Sequence, residues 1–514
     1  RDPQNRDRAL FGATGMDSSK QDTVNLRVGY DLSATQELEA RVSWWHDDST
    51  VTNTTWLRDA AGNPVWSGLV KDGANQFSVA SNAFAPSTRD EVHRQIGATW
   101  KTKHAKGWNA SVVVTDYLIQ SDAARQANLA QPLADLGGAG AVTRRDGTGW
   151  NTLEVQSTYT PQAGDFGDGR HALVLGLHRN QYTLQNVVNN APDWRGAETT
   201  LNQSYYGKTL ITALYAQDAW KMTPELTLTS GLRFENFEAF DGSQYFAGPP
   251  VAQSVFPSRK LTATSPKVSL AWAATDEITL RTSLGRGVRF PNVDELFNGT
   301  QTGTSITTSD PNLRPEVSDS AEISVEREWG RHWLRASVFR DDVADTIQRQ
   351  TDSTVFPSVT RVSNVDKVLT QGLELVWATR DVGVRGLDLG GSFTWTDAEV
   401  KANAAFPAQV SKKWLRIPPQ RYTLQASYRP SQAWLFAAAY RWASSSYNTE
   451  LNLDTNPDTY GGTSSLNQLD LKACWRFAKQ WEWSLGINNV AARPSWQAHT
   501  MPQRSVQTEL RWHL

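Results

Sequence analysis

The eight histidines are the first residues in this sequence that could do chemistry, because imidazole binds metals and moves protons near neutral pH. No two of them show the HExxH spacing that would hold one zinc ion. No GxSxG elbow marks a serine nucleophile, and the single cysteine, Cys474, excludes an intrachain disulfide. The sequence therefore predicts no enzyme, no metal site and no bound cofactor. The histidines are His46, His93, His104, His171, His178, His332, His499 and His513.

Gly285-Arg286-Gly287 is the nearest approach to a phosphate-binding glycine motif. A dinucleotide site needs a third glycine and a helix that opens behind it, and neither follows here. The simpler interpretation of these two glycines is the end of a β-strand, where small residues relieve crowding. The formal net charge of −2 also gives no basic footprint, so no nucleic-acid partner is predicted.

Aromatic residues in long polar stretches are the remaining candidates for binding. Rings with polar tips suit the capture of a flat ligand such as a metal chelate. The alternative is an aromatic girdle at a membrane interface, or packing within a loop. These residues are Trp56, Trp66, Trp194, Tyr205, Tyr206, Tyr245, Phe246, Tyr447, Tyr460 and Trp496.

The elements that must position these residues are β-strands, because apolar and polar residues alternate through much of the chain. Leu228, Leu232 and Phe234 alternate with Thr229, Arg233 and Glu235, and one face of each such strand carries no charge. A charged side chain that faces lipid costs about 2–4 kcal/mol at the bilayer midplane, so exposure of this face to lipid explains its lack of charged residues. The same pattern runs through residues 422–429, 469–477 and 481–488.

Composition supports a wall that is apolar on one face and wet on the other. The chain has 514 residues with 22 Trp, 13 Tyr and 17 Phe, yet a mean hydropathy of −0.51. No run of about 18 apolar residues predicts a membrane helix. A soluble propeller is the alternative, but its blades need a repeat of about 40–50 residues, and none is seen.

Connections between the predicted strands alternate between short and long, as in outer-membrane barrels with short periplasmic turns and long outer loops. About nineteen strands are predicted, from near Thr23 to Leu514. The short connections are Leu32 to Gln36, Lys221 to Glu225, Ala274 to Glu277, Arg429 to Gln432 and Ala478 to Gln480. The long ones are Ser49 to Glu91, Gln120 to Thr148, Asn186 to Lys208, Phe240 to Ser265 and Val288 to Pro315.

The stretch from Leu280 to Glu326 joins two such strands through a long loop with a distinctive sequence motif. It reads SLGRGVRFPNVDELFNG from Ser283 and DPNLRPEVSDSAEISVE from Asp310. Pro311 and Pro315 lack backbone donors, so this part of the loop cannot continue a central ladder. The stretch resembles the mid-barrel signature of TonB-dependent outer-membrane receptors. Further likenesses extend over roughly residues 205 to 514, ending in a barrel-type C-terminal strand, although that family usually ends in an aromatic residue.

The resemblance implies an all-β fold, a large antiparallel transmembrane barrel of a 22-strand family in the bacterial outer membrane. Such receptors carry an N-terminal plug that contacts TonB. Residues 1–514 would then be a partial barrel domain, with the plug and about three strands missing. The implied partners are the TonB–ExbB–ExbD complex, reached through that plug, outer-membrane lipid, and a metal-chelate ligand.

The resemblance also implies a function, namely TonB-coupled uptake of a scarce ligand, with a ferric siderophore as the first expectation. Haem, cobalamin, a quinone-type cofactor and a passive porin remain as alternatives. Residues after the Gly287 strand end would lie at the barrel mouth, and outer loops would add aromatic contacts. The expected ligand-binding residues are Arg289, Phe290, Asn292, Trp194, Tyr205, Tyr447 and Trp496.

Overall fold

The computed structural model of this protein is almost entirely β-structure. It describes residues 2–6, 10–73, 75–248, 251–301, 305–352 and 358–513. One short helix, α1, spans Val293–Phe297, and 3₁₀ turns span Leu133–Leu136, Phe166–Gly169 and Pro407–Gln409. Among these residues no helix combines the length and apolarity that a bilayer crossing requires.

The strands are numbered in chain order. The first group is β1 Gly12–Ser33, β2 Gln36–Thr55, β3 Gly68–Asp72, β4 Asn75–Val79, β5 Ser87–Thr102, β6 Gly107–Ala127, β7 Gly140–Arg144, β8 Gly149–Thr160, β9 His171–Ala191, β10 Leu201–Lys221, β11 Leu226–Phe246, β12 Ala252–Val255, β13 Arg259–Ala273 and β14 Ile278–Arg289. The second is β15 Thr300–Gln301, β16 Ser305–Thr308, β17 Glu316–Trp329, β18 His332–Asp352, β19 Ser358–Thr379, β20 Leu387–Ala402, β21 Gln420–Ser431, β22 Trp434–Ala443, β23 Leu466–Ala478, β24 Trp481–Asn488, β25 Trp496–Gln497, β26 His499–Thr500 and β27 Ser505–Trp512.

A single sheet of 23 strands forms the body of the described chain. Its long strands pair antiparallel with their neighbours in chain order, while the short strands β7, β12, β15 and β16 extend the sheet locally. Nineteen long strands make up the series, which confirms the predicted all-β antiparallel fold and the predicted strand number. Within the described residues no pairing joins β1 to β27. The series is β1, β2, β5, β6, β8, β9, β10, β11, β13, β14, β17, β18, β19, β20, β21, β22, β23, β24 and β27.

One face of the sheet, here the outer face, is apolar and exposed. Leu232 on β11, Leu284 on β14 and Ile323 on β17 stand out from it, and the Ile323 side chain is 64% exposed. Val506, Leu510 and Trp512 on β27 do the same, as the alternation predicted. Exposed apolar rows of this extent are typical of a lipid-facing surface. Leu514, the predicted end of the last strand, lies outside the described residues.

The opposite, inner face is polar and carries ion pairs both within and between strands. On β11 the Arg233 Nε lies 2.8 Å from Glu235 Oε1, and Arg335 on β18 lies 2.8 Å from Glu322 on β17. Cys474 is also on this face, as predicted from its strand. Charged side chains are tolerated on a hydrated inner wall, and pairing reduces the cost for those that are partly buried.

Short and long connections alternate as predicted, but the strands reach further than the sequence indicated. The connection expected from Asn186 to Lys208 is only residues 192–200, and the one expected from Phe240 to Ser265 is only residues 247–258. Likewise β1 begins at Gly12 and not near Thr23. Beyond the lipid-facing rows both faces of a strand are polar or packed, so the apolar alternation ends before the hydrogen-bonded ladder does.

Candidate functional site

The connection between β14 and β17 folds back onto the inner face of the sheet in its described residues, 290–301 and 305–315. We call it the inner strap. It contains α1, which lies against β9, β10 and β11. The helix starts at a capping box, in which the Asn292 Oδ1 accepts a hydrogen bond from the Glu295 N–H at 2.8 Å and the Asn292 N–H donates to Glu295 Oε2 at 2.8 Å. The strap therefore has its own ordered start.

Apolar packing holds the strap against the strands. Phe290 stacks on Phe237 of β11 with ring centroids 4.8 Å apart, and Leu296 and Leu313 are fully buried. Phe297 covers Gly207, where a Cβ atom would collide with its ring. Glycine at this point of β10 thus lets the strap approach the wall closely.

Ion pairs fix both ends of the strap. Arg289 bridges Glu316 at 2.6 Å and Glu295 at 3.0 Å. At the other end Arg314 bridges Asp345 at 2.7 Å and Asp366 at 3.1 Å. The turn predicted for Asp310 to Pro315 is confirmed, since no ladder pairing runs through it.

Three of the seven candidate ligand residues, Arg289, Phe290 and Asn292, therefore serve the strap itself. Phe290 is buried, Arg289 is engaged by two carboxylates, and Asn292 caps α1. Their role in ligand binding stays a prediction. Arg289 and Asn292 keep exposed side chains in this role, whereas Phe290 does not.

Two further candidates are buried away from any open surface. Trp194 packs in a small cluster and its Nε1 donates to the Ala134 carbonyl at 3.0 Å. Tyr205 is fully buried beside the strap, and its hydroxyl donates to Gln203 Oε1 at 2.9 Å. Aromatic residues in polar stretches were expected in open loops, but here the loops pack over them.

Tyr447 and Trp496 remain accessible, in two loop segments that are joined through Thr463, which forms β-bridges with Ser446 and Gln497. Tyr447 is exposed and lines a cavity of about 260 Å³ that also includes Trp395 and Lys413. Trp496 is half-buried and contacts the Tyr460 ring edge to face at 4.9 Å. Both residues therefore keep some surface that a ligand can contact.

Sequence reasoning missed a set of aromatic residues that the register brings together on the inner face. Trp45 of β2 pairs with His93 of β5, and Tyr117 of β6 pairs with Trp150 of β8, which pairs with Tyr182 of β9. Paired residues project from the same side of the sheet. We call these five residues the aromatic arc.

Ring contacts make the arc continuous across its five strands. The ring centroids of Trp45 and His93 are 4.7 Å apart, those of His93 and Tyr117 5.6 Å, those of Tyr117 and Trp150 3.9 Å, and those of Trp150 and Tyr182 6.1 Å. The Tyr117 and Trp150 rings are stacked, and Trp150 and Tyr182 are exposed. Aromatic faces held open in this way form a platform for another flat group.

The arc lies beside the inner strap. Leu184 follows Tyr182 on the same face of β9 and packs into the strap cluster with Phe297. The sequence holds a weak signal for the arc, because each of its rings occupies a position that the alternation assigns to the polar face of its strand. Trp45, for example, alternates with the outward Trp44 and follows Arg41 and Ser43 on the inner face.

Carboxylates border the arc on its long-loop side. Asp47, Glu91 and Asp122 lie on β2, β5 and β6 and are all buried. Arg89 bridges Glu91 at 2.6 Å and Asp122 at 2.8 Å, and Arg145 reaches Asp122 at 3.2 Å. In the described part of the chain no group of three or more His, Cys, Asp or Glu side chains is placed to hold a metal ion.

Comparison with known proteins adds a family. The sequence model of the family described as "TonB dependent receptor-like, beta-barrel" matches residues 43–490, which is most of the chain. A curated relative, the ferrienterobactin receptor of Escherichia coli, is 20% identical over 358 residues, covering 63% of this chain and 43% of the relative. The chain thus spans less than half the length of that relative.

Solved structures show the same fold. The ferripyoverdine receptor of the outer membrane of Pseudomonas aeruginosa matches with a TM-score of 0.64 at 15% identity, covering 96% of this chain and 65% of that one. The ferric-catecholate import receptor Fiu of Escherichia coli matches with a TM-score of 0.63 at 15% identity, covering 99% and 82%. At such identities the likeness concerns the fold and not the ligand.

Proposed function

Because this chain belongs to the TonB-dependent receptor β-barrel family, we propose that it forms the wall of a transporter that takes up a ferric siderophore or a similar metal chelate by TonB-coupled active transport. The family comprises outer-membrane uptake receptors and not enzymes. The apolar outer face supports placement of this chain in the outer membrane as a multi-pass barrel.

The observation that carries the proposal is the aromatic arc. Lipid cannot account for these rings, because they project from the polar inner face and not from the apolar outer one. Nor are they sealed in a core, since Trp150 and Tyr182 are exposed. Open aromatic faces on a polar wall suit transient binding of a flat chelate on its way inward.

Energy coupling is proposed through the TonB–ExbB–ExbD complex, reached by an N-terminal plug domain that would complete the transporter. In the described part of the chain the outer edges of β1 and β27 have no ladder partner, and this supports further strands between them, because open sheet edges are not tolerated in lipid. Haem, cobalamin or a quinone-type cofactor could use the same aromatic surface, so the ligand panel below includes haem and cobalamin.

We expect replacement of an arc residue to weaken ligand binding while the barrel stays assembled. Trp45→Ala removes an inner-face ring that contacts His93, whereas Trp44→Ala removes the neighbouring ring from the outer face. A contact anchor is worth more than about 1 kcal/mol, so Trp45→Ala and Trp150→Ala should lower affinity at least severalfold.

The measurement is binding to cells that carry the complete gene, with a ferric tris-catecholate, a ferric trihydroxamate, haem and cobalamin as probes. Trp44→Ala is the matched control, with the same loss of an indole from the adjacent residue. Equal affinity for Trp45→Ala, Trp150→Ala and Trp44→Ala would remove the arc from the binding surface.

Uptake should depend on TonB, which separates this proposal from a passive porin. In cells that lack TonB, surface binding of a recognised probe should persist, but accumulation inside the cell should fall to the level of cells without the gene. The physical reason is that the plug domain would close the barrel, and moving it to open a path would require work supplied through TonB. Undiminished uptake without TonB would favour the porin alternative.

A further inference from the structure

We infer that the wall around the aromatic arc selects a chelate that is neutral or cationic and disfavours an anionic one. This inference rests on the proposed uptake function and specifies the ligand's charge. Two features of the wall support it: the charges that border the arc, and the pairing of each nearby cation with a carboxylate.

The border of the arc holds more acids than bases. Asp47, Glu91 and Asp122 are three carboxylates against the two guanidiniums of Arg89 and Arg145, which leaves an excess of one carboxylate when the His93 ring, 3.0 Å from Glu91, is neutral. Asp47 is buried and accepts a hydrogen bond from the Ser19 hydroxyl, which carries no charge. The border therefore presents a net negative charge next to the rings.

The other side of the arc is also acidic. Glu154 lies on the inner face of β8, four residues beyond Trp150, and its carboxylate is hydrogen-bonded by the His178 ring at 2.5 Å and by the Tyr215 hydroxyl. The next cation, Arg233, is engaged by Glu235 at 2.8 Å. A ligand on the rings thus has carboxylates on both sides.

The cations near the arc are already occupied. Arg89 uses its guanidinium on two carboxylates, Arg145 reaches Asp122, and Arg289, at the end of β14 where the inner strap begins, bridges Glu295 and Glu316. A surface built for an anionic chelate would offer guanidinium or ammonium groups that can form charge-assisted hydrogen bonds with it. Among the described residues that border the arc, each guanidinium has a carboxylate partner.

An anionic ligand would then lose its hydration and meet like charge across the low-dielectric interior of a protein wall. A ferric tris-catecholate is trianionic, whereas the ferric complex of a linear trihydroxamate with a free amine is cationic. The catecholate complex also carries aromatic rings that the hydroxamate complex lacks, so the effect of charge alone is read from opposite charges placed at one position of the wall. The arc should favour the second, although one relative of the same fold is named for ferric catecholates.

Gln95 offers a test at one position. It lies on the inner face of β5, paired with Tyr117 of the arc, and carries no charge. Gln95→Lys and Gln95→Glu place opposite charges there with side chains of similar reach. The experiment compares competition by the two ferric complexes for binding to cells that carry the complete gene.

For the unaltered protein we expect tighter binding of the cationic complex. Gln95→Lys should shift the ratio of the two affinities toward the tris-catecholate by about fivefold or more, and Gln95→Glu should shift it the other way. Preference for the tris-catecholate in the unaltered protein, or a ratio that neither variant moves, would overturn the charge inference while uptake itself stands. Binding of neither complex, nor of haem or cobalamin, would overturn the proposed function with it.

Discussion

Leu424→Arg should strongly reduce the fraction of chains that assemble into a folded barrel. Gln425→Arg, at the next residue, should leave that fraction unchanged. Both side chains are exposed in the structure, so burial does not distinguish them. Leu424 projects from the outer face of β21, between Gly391 and Tyr440, and an arginine there would enter lipid at a cost of about 2–4 kcal/mol. Gln425 projects from the inner face, where it lines a groove of about 760 Å³ with room for a longer polar chain.

The measurement is the fraction of folded barrel in outer-membrane extracts, read as the shift in gel mobility between unheated and heated samples. Each variant is expressed from the complete gene at matched levels. Similar losses for Leu424→Arg and Gln425→Arg would contradict the assignment of outer and inner faces on β21. A loss only for Gln425→Arg would reverse it.

Phe290→Ala should release the inner strap without dismantling the wall. Its ring stacks on Phe237 within the cluster that includes the buried Leu296 and Leu313, and removal of a buried phenylalanine costs about 3–5 kcal/mol. That cost falls on the strap, because the ladder between β14 and β17 does not use this side chain. We expect faster proteolysis within residues 293–314 and unchanged heat-modifiable mobility.

Variants of the same strand supply the controls. Phe237→Ala removes the stacking partner from β11 and should release the strap equally, and the double variant should add little to either change, since the two rings share one contact. Phe234→Ala removes a ring from the outer face of the same strand and should leave the strap resistant. Resistance that survives both Phe290→Ala and Phe237→Ala would show that the ion pairs of Arg289 and Arg314 hold the strap without the cluster.

The strap changes how a binding defect in Phe290→Ala should be interpreted. Phe290, Arg289 and Asn292 were expected at the mouth from their place after the Gly287 strand end; in the structure Arg289 ends β14, and Phe290 and Asn292 lie in the connection that follows it. Burial and pairing make them supports of that connection. Lower affinity in Phe290→Ala with a proteolysed strap would indicate support, whereas lower affinity with an intact strap would indicate contact.

The sequence by itself determined the strands and their faces. Alternation such as Leu469, Leu471 and Trp475 against Asp470, Lys472 and Cys474 predicted one lipid-facing side, and those apolar side chains are exposed on the outer face. The prolines at 311 and 315 predicted a break in the ladder, and the break is there. These features are local, because the two-residue period of a strand and the missing donor of a proline act within a few residues.

Only the tertiary structure decided where the aromatic residues lie. Trp194 and Tyr205 look like open-loop aromatics in the sequence but are buried by segments that pack over them. The aromatic arc draws one ring from each of five strands between β2 and β9, spread over more than a hundred residues. Its existence depends on the register of each strand with the next, and a slip of one residue would turn a ring to the opposite face. Register comes from pairing between distant segments, so no local pattern of residues could specify it.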